Sequence, residues 1–380
     1  MLLYIIINPK ILREGFNIEV LRLVFQLIFF LVGSLYLGIG IFSLFKSPIP
    51  EIKDEYTKFA VLVSAYDYEN ISSLKNQKYP KSFYDIFVIS NGSIDLSKMG
   101  VNVIHGDRLK DGIDQIIKLD IYNAIAVFKP NNIVDPYFLF ETNLELINGK
   151  EAVQGYVDIK NPNSSWIAHA CGIWYWITNR ILQTGFHNLG AGAKLNSTGF
   201  CLTTDILKKV PFNTNNEYTL NLALNNIKIA YSNRAVVYDE KPSSFSDSIK
   251  QRQALAKRIM WVQGEYTLKL IKNLKFFDLL RLWSDILLPL CFGLFLIIDI
   301  FAFGTILEIT EFAFTSFWTS PIGFTILNIY LCLSVFVIFR GLAQDKKLNK
   351  KLFFNLFGFF VYILSWIPIG ILGILKQTKK

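Results

Sequence analysis

The sequence is poor in the residues that bind metal or form cross-links. Its four cysteines, Cys171, Cys201, Cys291 and Cys332, are widely spaced, with no CxxC pair and no disulfide framework. They read as ordinary buried side chains, compatible with a reducing compartment. The three histidines, His105, His169 and His187, lack metal-ligand spacing. The net charge is +9, yet no basic stripe accompanies a nucleic-acid reading motif, so nucleic acid is not an expected partner. The glycines of "LGAGAK", Leu189–Lys194, do not form a phosphate-binding loop. Internal repeats and low-complexity tracts are absent. What is abundant is apolar surface. Hydrophobic residues make up 52% of 380 positions, with 33 Phe, which points to membrane segments and to lipid as a partner.

The apolar runs are unevenly placed. Leu23–Phe45 is uncharged and long enough to cross a bilayer, inside an N-terminal segment, 1–46. It lacks a small-residue cleavage site, so it reads as a permanent anchor and not a signal peptide. Residues 47–243 have soluble composition. The short apolar runs "KFAVLVSAY", "YDIFVIS", "VNVI", "NAIAVF", "EAVQGYV", "IKIAYS" and "AVVYDE" read there as strands separated by helices. That alternation predicts an α/β domain with a mostly parallel sheet, whose ligands bind at the carboxyl ends of the strands. Residues 244–284 mix basic and apolar side chains at helical spacing and read as one or two amphipathic helices on a membrane surface.

The C-terminal region, 285–380, holds three further candidate spans, Ile286–Leu307, Phe312–Phe339 and Leu352–Leu375. The connector Arg340–Lys351 carries five basic residues against one acid, which places it in the cytoplasm by the positive-inside rule. Counting back puts the central domain in the cytoplasm and the N-terminus outside. The expected location is thus an integral membrane protein of the plasma membrane. One conflict stands: four full crossings would leave the basic tail "KQTKK" outside. The last run contains Pro368, Gly370 and Gly373, which favour a kink or a re-entrant path, so its crossing stays open.

Several stretches, in order, carry a resemblance. "VQGYVDIKNPNSSW" (Val153–Trp166), "STGFCLTTDILKKV" (Ser197–Val210) and "AVVYDEKP" (Ala235–Pro242) resemble the membrane-bound family 2 glycosyltransferases, relatives of cellulose and poly-N-acetylglucosamine synthases. "KNQKYPKSFYDIFVISNGS" and "NIVDPYFL" fit the same pattern, and the likeness covers about residues 58 to 265. The resemblance implies a nucleotide-sugar-binding, GT-A-like cytoplasmic domain. It implies inverting transfer of a sugar from a UDP-type donor to a glycan or lipid. It also implies magnesium or manganese held by aspartates, a carboxylate base for the acceptor hydroxyl, and a QxxRW platform.

At nearly every one of those positions this sequence departs from the pattern. Ser90-Asn91 stands where relatives carry Asp-Asn. Lys129-Pro130-Asn131 occupies the metal-binding Asp-x-Asp. The motif bearing the base falls on Asn213-Thr214-Asn215 in one register, leaving Asn215 at the base position. In the other it falls on Asn215-Asn216-Glu217, leaving Glu217 as a possible base. The platform best fits "KRIMW", with Lys257 for Gln, Met260 for Arg, and Arg258 and Trp261 on the acceptor side. Ala65, Tyr66, Ser90, Lys129 and Asn131 are the expected donor contacts. Thr198 and Gly199 of "STGF" either line the acceptor side or serve a backbone turn.

No metal cofactor is therefore expected. Lys129 is expected to offset diphosphate charge in its place. The first expectation is a weakly active or inactive homologue that holds UDP or a UDP-sugar and assists an active glycosyltransferase partner. The alternative is a divergent, metal-independent transferase using Lys129 and Glu217.

Overall fold

The structure is a computed structural model, and it describes residues 18–65, 67–90, 100–287 and 320–375. Tyr66, Asn91, nearly all of the expected span Ile286–Leu307 and the start of Phe312–Phe339 lie outside the described residues. The chain divides into two units. One comprises Met1–Gly40 and Ser284–Ile338, the other Ile41–Trp283 and Phe339–Lys380.

The larger unit is built on eight strands: β1 (Phe59–Val63), β2 (Tyr84–Ser90), β3 (Asn102–His105), β4 (Ala124–Phe128), β5 (Ile133–Val134), β6 (Ala152–Ile159), β7 (Phe200–Thr203) and β8 (Ala230–Asp239). They form one sheet in the order β3-β2-β1-β4-β7-β6-β8-β5. The pairs β1–β2, β2–β3, β1–β4 and β6–β8 are parallel. The pairs β4–β7, β6–β7 and β5–β8 are antiparallel. The sheet is thus mixed, with parallel pairs in the majority, and its antiparallel pairs come from β7 and β5. Cys201 of β7 faces Ala126 of β4 on one side and Val153 of β6 on the other. Every residue of β1, β4 and β6 is buried, which is why these strands read as unbroken apolar runs.

The expected strands "IKIAYS" and "AVVYDE" are a single strand, β8. Its register against β6 jumps between Gly155 and Tyr156, where Asn233, Arg234 and Ala235 have no β6 partner. That polar interruption is what splits the strand in the sequence.

The described helices are α1 (Ile18–Phe42), α2 (Tyr68–Lys75), α3 (Leu109–Leu119), α4 (Phe138–Ile147), α5 (Trp166–Ile177), α6 (Gly185–Asn188), α7 (Thr204–Lys209), α8 (Asn215–Leu224), α9 (Phe245–Lys272), α10 (Pro321–Gln344), α11 (Lys350–Leu364) and α12 (Trp366–Leu375). Asp67 caps α2, its carboxylate accepting from the Asn70 amide at 2.8 Å. A π-helical stretch, Thr178–Thr184, follows α5. There Arg180 reaches Asp345 and donates to the Ser43 carbonyl at 3.2 Å. The amphipathic region is α9 followed by a helical stretch at 276–287. In the smaller unit, α1 and α10 meet through Phe30 and Tyr330, ring centres 5.5 Å apart. Two described helices, Pro321–Gln344 and Lys350–Gly370, are long and apolar enough to cross a membrane.

Candidate functional site

The turn after β4 is where the sheet presents polar groups at its strand tips. Buried β4 ends at Phe128, and the chain turns through Lys129, Pro130 and Asn131, the last at φ 64°, a left-handed conformation that asparagine tolerates. Asn132 then anchors the turn. Its side-chain oxygen accepts from the Lys129 amide at 3.1 Å and from the Thr198 hydroxyl. Its side-chain NH2 donates to Asp239 Oδ1 at 2.9 Å, and its carbonyl accepts from Asn70 Nδ2 at 2.8 Å. Asn132 is wholly buried, so each of these bonds stands in for lost water.

Asp239 ends β8 beside Ile159, the last residue of β6. Its Oδ2 takes Lys241 Nζ at 2.7 Å and lies 3.9 Å from Lys129 Nζ. Lys241 is buried, its ammonium 3.7 Å from the centre of the Tyr175 ring. Burial by itself would raise the Asp239 carboxyl, but Lys241, Lys129 and the Asn132 amide hold it below the ordinary range. Burial opposes the Lys241 charge too, yet Tyr175 and Asp239 hold that ammonium above its ordinary value. Lys129 goes the other way. Burial lowers it, and the cations Lys241 and Arg258 lower it further against the pull of Asp239. The cluster is therefore net cationic, with one carboxylate among three basic groups.

The structure brings together Lys129, Thr198 and Gly199 of the expected residues. Thr198 accepts from the Lys129 amide at 3.1 Å. The Gly199 amide donates to Val127 O at 2.9 Å, and its carbonyl accepts from the Gly155 amide at 2.8 Å. Both residues are buried in the wall behind Lys129, where their bonds hold the turn.

Ala65 lies exposed just past β1, Ser90 ends β2 opposite His105, and Asn131 is exposed. Lys257, Arg258 and Trp261 are exposed on α9, and Arg258 is near enough to Lys129 to act on its charge. At the start of α8, Asn215 Nδ2 donates to the Asn196 carbonyl at 2.8 Å, a structural bond. Glu217 accepts from the Thr214 hydroxyl at 3.0 Å and adds to the field that raises the Tyr266 phenol.

Asn132, Asp239 and Lys241 are the residues that sequence reasoning missed. The signal for the last two was present in "VVYDEKP": an acid and a base two positions apart, directly after an apolar strand. A cavity of about 290 Å³ lies elsewhere, lined by Ala191, Thr219, Lys228, Phe277 and Arg281, among others. Arg281 is already engaged there with Asp278 and the carbonyls of Ala191 and Gly192.

A divalent cation needs several oxygen donors, usually carboxylates. Among the described residues, the groups bonded around Asp239 do not fit one. Asp239 is already bound by Lys241 and Asn132, and the described side chains bonded around it supply no second carboxylate. Among the described residues no group of three or more His, Cys, Asp or Glu could hold a metal ion.

No family model matches the chain, and no curated protein matches it. Solved structures do. A mannosyltransferase, PcManGT from Pyrobaculum calidifontis, solved with GDP-Man and Mn2+, is 10% identical, with a TM-score of 0.52 over 87% of this chain and 99% of that one. TarS from S. aureus is 15% identical over 53% of this chain and 40% of its own, with a TM-score of 0.34. A TarS fragment with UDP is also 15% identical, over 53% of this chain and 65% of that one, with a TM-score of 0.32. The mannosyltransferase shows the fold: a mixed α/β domain of the glycosyltransferase kind.

Proposed function

We propose that the chain is a membrane-associated, GT-A-like glycosyltransferase homologue. In this reading it binds a nucleoside diphosphate, or a nucleotide sugar, through Lys129 without a divalent metal. It has little or no transferase activity and serves an active synthase as a partner in glycan synthesis. One observation carries the reading: among the described residues, the only carboxylate bonded into the Lys129 cluster, Asp239, is already paired with Lys241 and Lys129 and hydrogen-bonded by Asn132. What the turn offers a ligand is the half-exposed Lys129, with Arg258 close by. At about 4 Å and an effective dielectric of about 20, each charge pair with a phosphate is worth roughly 4 kcal/mol before desolvation.

Transfer is handicapped on the acceptor side. Asn215 cannot accept a proton at neutral pH, and loss of a general base costs about 100- to 10,000-fold. Glu217 is the remaining candidate base, bonded to Thr214 at the helix start. The similar mannosyltransferase was solved with GDP-Man, so guanosine and uridine nucleotides both belong in the test.

Calorimetry of the purified chain with UDP and with GDP, in EDTA and in manganese, decides the donor claim. The expected result is binding that survives EDTA and weakens at least tenfold in Lys129→Ala. Binding only with metal, or equal binding by the variant, overturns it. Nucleotide-sugar turnover that disappears in Glu217→Gln would instead establish the divergent transferase.

A further inference from the structure

Lys350–Leu375 is apolar on both of its faces, the pattern of a helix with no side in water. Leu352, Phe359 and Tyr362 point inward, and Phe359 and Tyr362 pack on Ile167, Ala170 and Cys171 of α5. The outward face is formed by Phe353, Phe354, Phe357, Val361 and Leu364, with Phe354 86% and Phe357 79% exposed. Length and composition alone make this a bilayer span.

The packing does not allow it to leave the domain. Ahead of the helix, Asp345 pairs with Arg180 and Lys347 with Asp158, and in its first turn Lys351 donates to Asn163 Oδ1 at 3.1 Å. Leu352 is then wholly buried. A Cβ added at Gly358 would sit 3.2 Å from the Trp166 ring. Tyr362 lies against Cys171, their side-chain oxygen and sulfur 3.7 Å apart. Further on, Gly370 meets Ala256, and a Cβ at Gly373 would lie 2.9 Å from the Gln253 carbonyl oxygen. From Leu352 to Gly373 the two helices together run about 32 Å at about 1.5 Å per residue, close to the thickness of a hydrocarbon core. They touch α5 or α9 along that whole distance.

A span here would carry α9, with Lys250, Arg252, Lys257 and Arg258, into hydrocarbon, where such charges are strongly disfavoured. The junction between α11 and α12, at Ser365, is itself held by α9. Buried Arg252 donates to the Tyr362 carbonyl at 3.2 Å and to Ser365 Oγ at 2.7 Å. Its guanidinium lies 4.6 Å from the Tyr362 ring centre and 5.7 Å from that of Trp366. Pro368, which has no amide to donate, follows within one turn.

We infer that Lys350–Leu375 does not cross the membrane but lies along its surface, clasped to α5 and α9, with its outer phenylalanine face seated in phospholipid. The inference rests on the membrane reading proposed above, and it keeps the basic tail on the side of the domain. Charge agrees: Lys346, Lys350 and Lys351 flank the start of the helix and suit anionic headgroups.

The test is nitroxide depth measurement on the full chain in vesicles of phosphatidylcholine and phosphatidylglycerol, with the native cysteines replaced by alanine. Phe354→Cys, Phe357→Cys, Val361→Cys and Leu364→Cys are labelled singly, and oxygen and nickel-complex accessibility is read. The expected result is a shallow and nearly constant depth at all four positions. A depth that runs steadily through the bilayer centre identifies a span and overturns the inference. Labels shielded from both probes identify a protein partner, including a second copy, and overturn it too. In parallel, Lys346→Cys and Lys376→Cys should react with an impermeant maleimide from the same side. Reaction from opposite sides overturns the inference as well. Flotation of the unlabelled chain with the vesicles tests the membrane reading separately, so the two failures are distinguishable.

Discussion

Asp239 is the residue on which the cluster turns, because it compensates the buried cation Lys241 while also tethering Asn132 and facing Lys129. Asp239→Asn should cost about 3–5 kcal/mol in thermal or denaturant unfolding, since it strands a buried charge. Adding Lys241→Met should return part of that loss, because both charges then leave together. The pH dependence has a definite sign. A carboxyl held below its ordinary value contributes stability above about pH 4 that is lost as pH falls through the folded-state value. Wild type should therefore show an acid limb below about pH 4 that Asp239→Asn lacks. Lys241 is raised, so its contribution holds below about pH 10 and fails only in stronger alkali. Lys129 is lowered, so its charge is lost as pH rises before that of an ordinary lysine. Nucleotide affinity measured by calorimetry should decline on the alkaline side, starting below about pH 10.

At the scale of elements, β7 is what places Thr198 and Gly199 behind the Lys129 turn. Gly199 sits at φ 67°, and an added Cβ would lie 2.4 Å from Val237 Cγ1 of β8. Gly199→Ala should cost about 2 kcal/mol or more, from the left-handed backbone and the collision together. The measurement is the unfolding midpoint, and an unchanged midpoint would mean that this strand contact is not maintained. Nucleotide affinity should fall along with stability, because the Lys129 amide is bonded to Thr198 next door. Thr198→Ser, which keeps the hydroxyl, should leave that affinity within about twofold, a small effect by the scale of surface and conservative changes.

For the whole molecule, the reading predicts a protein that stays with membranes and handles nucleotide sugar without using it up. Purified chain offered UDP- and GDP-sugars, with and without manganese, should release nucleotide at the background rate. A rate that rises with manganese would show that carboxylates gather around a metal somewhere beyond the Lys129 cluster. The net charge of +9 also predicts that binding to anionic vesicles weakens as salt rises, read by flotation at increasing ionic strength.

The linear chain already carried much of this. Buried strands show as apolar runs because both of their faces are covered, so β1, β2, β4 and β6 were legible. So was α9, from its mixed helical spacing. The replacement of expected acids by Ser90, Lys129 and Asn131 is a matter of residue identity and needs no coordinates. Three things depended on the fold. The short strands β5 and β7 are defined by their partners, and two or four residues have no periodicity of their own. Asp239 and Lys241 lie more than a hundred positions from Lys129, and the antiparallel pairing of β5 with β8, Ile133 opposite Tyr238, brings them to the same turn. Whether an apolar run crosses a bilayer or lies on it cannot be read from hydropathy, which measures how much apolar surface a segment has and not what covers it. For Lys350–Leu375 the surface path inferred above rests on packing, through Gly358 on Trp166, Gly373 on Gln253 and Arg252 at the junction of α11 and α12.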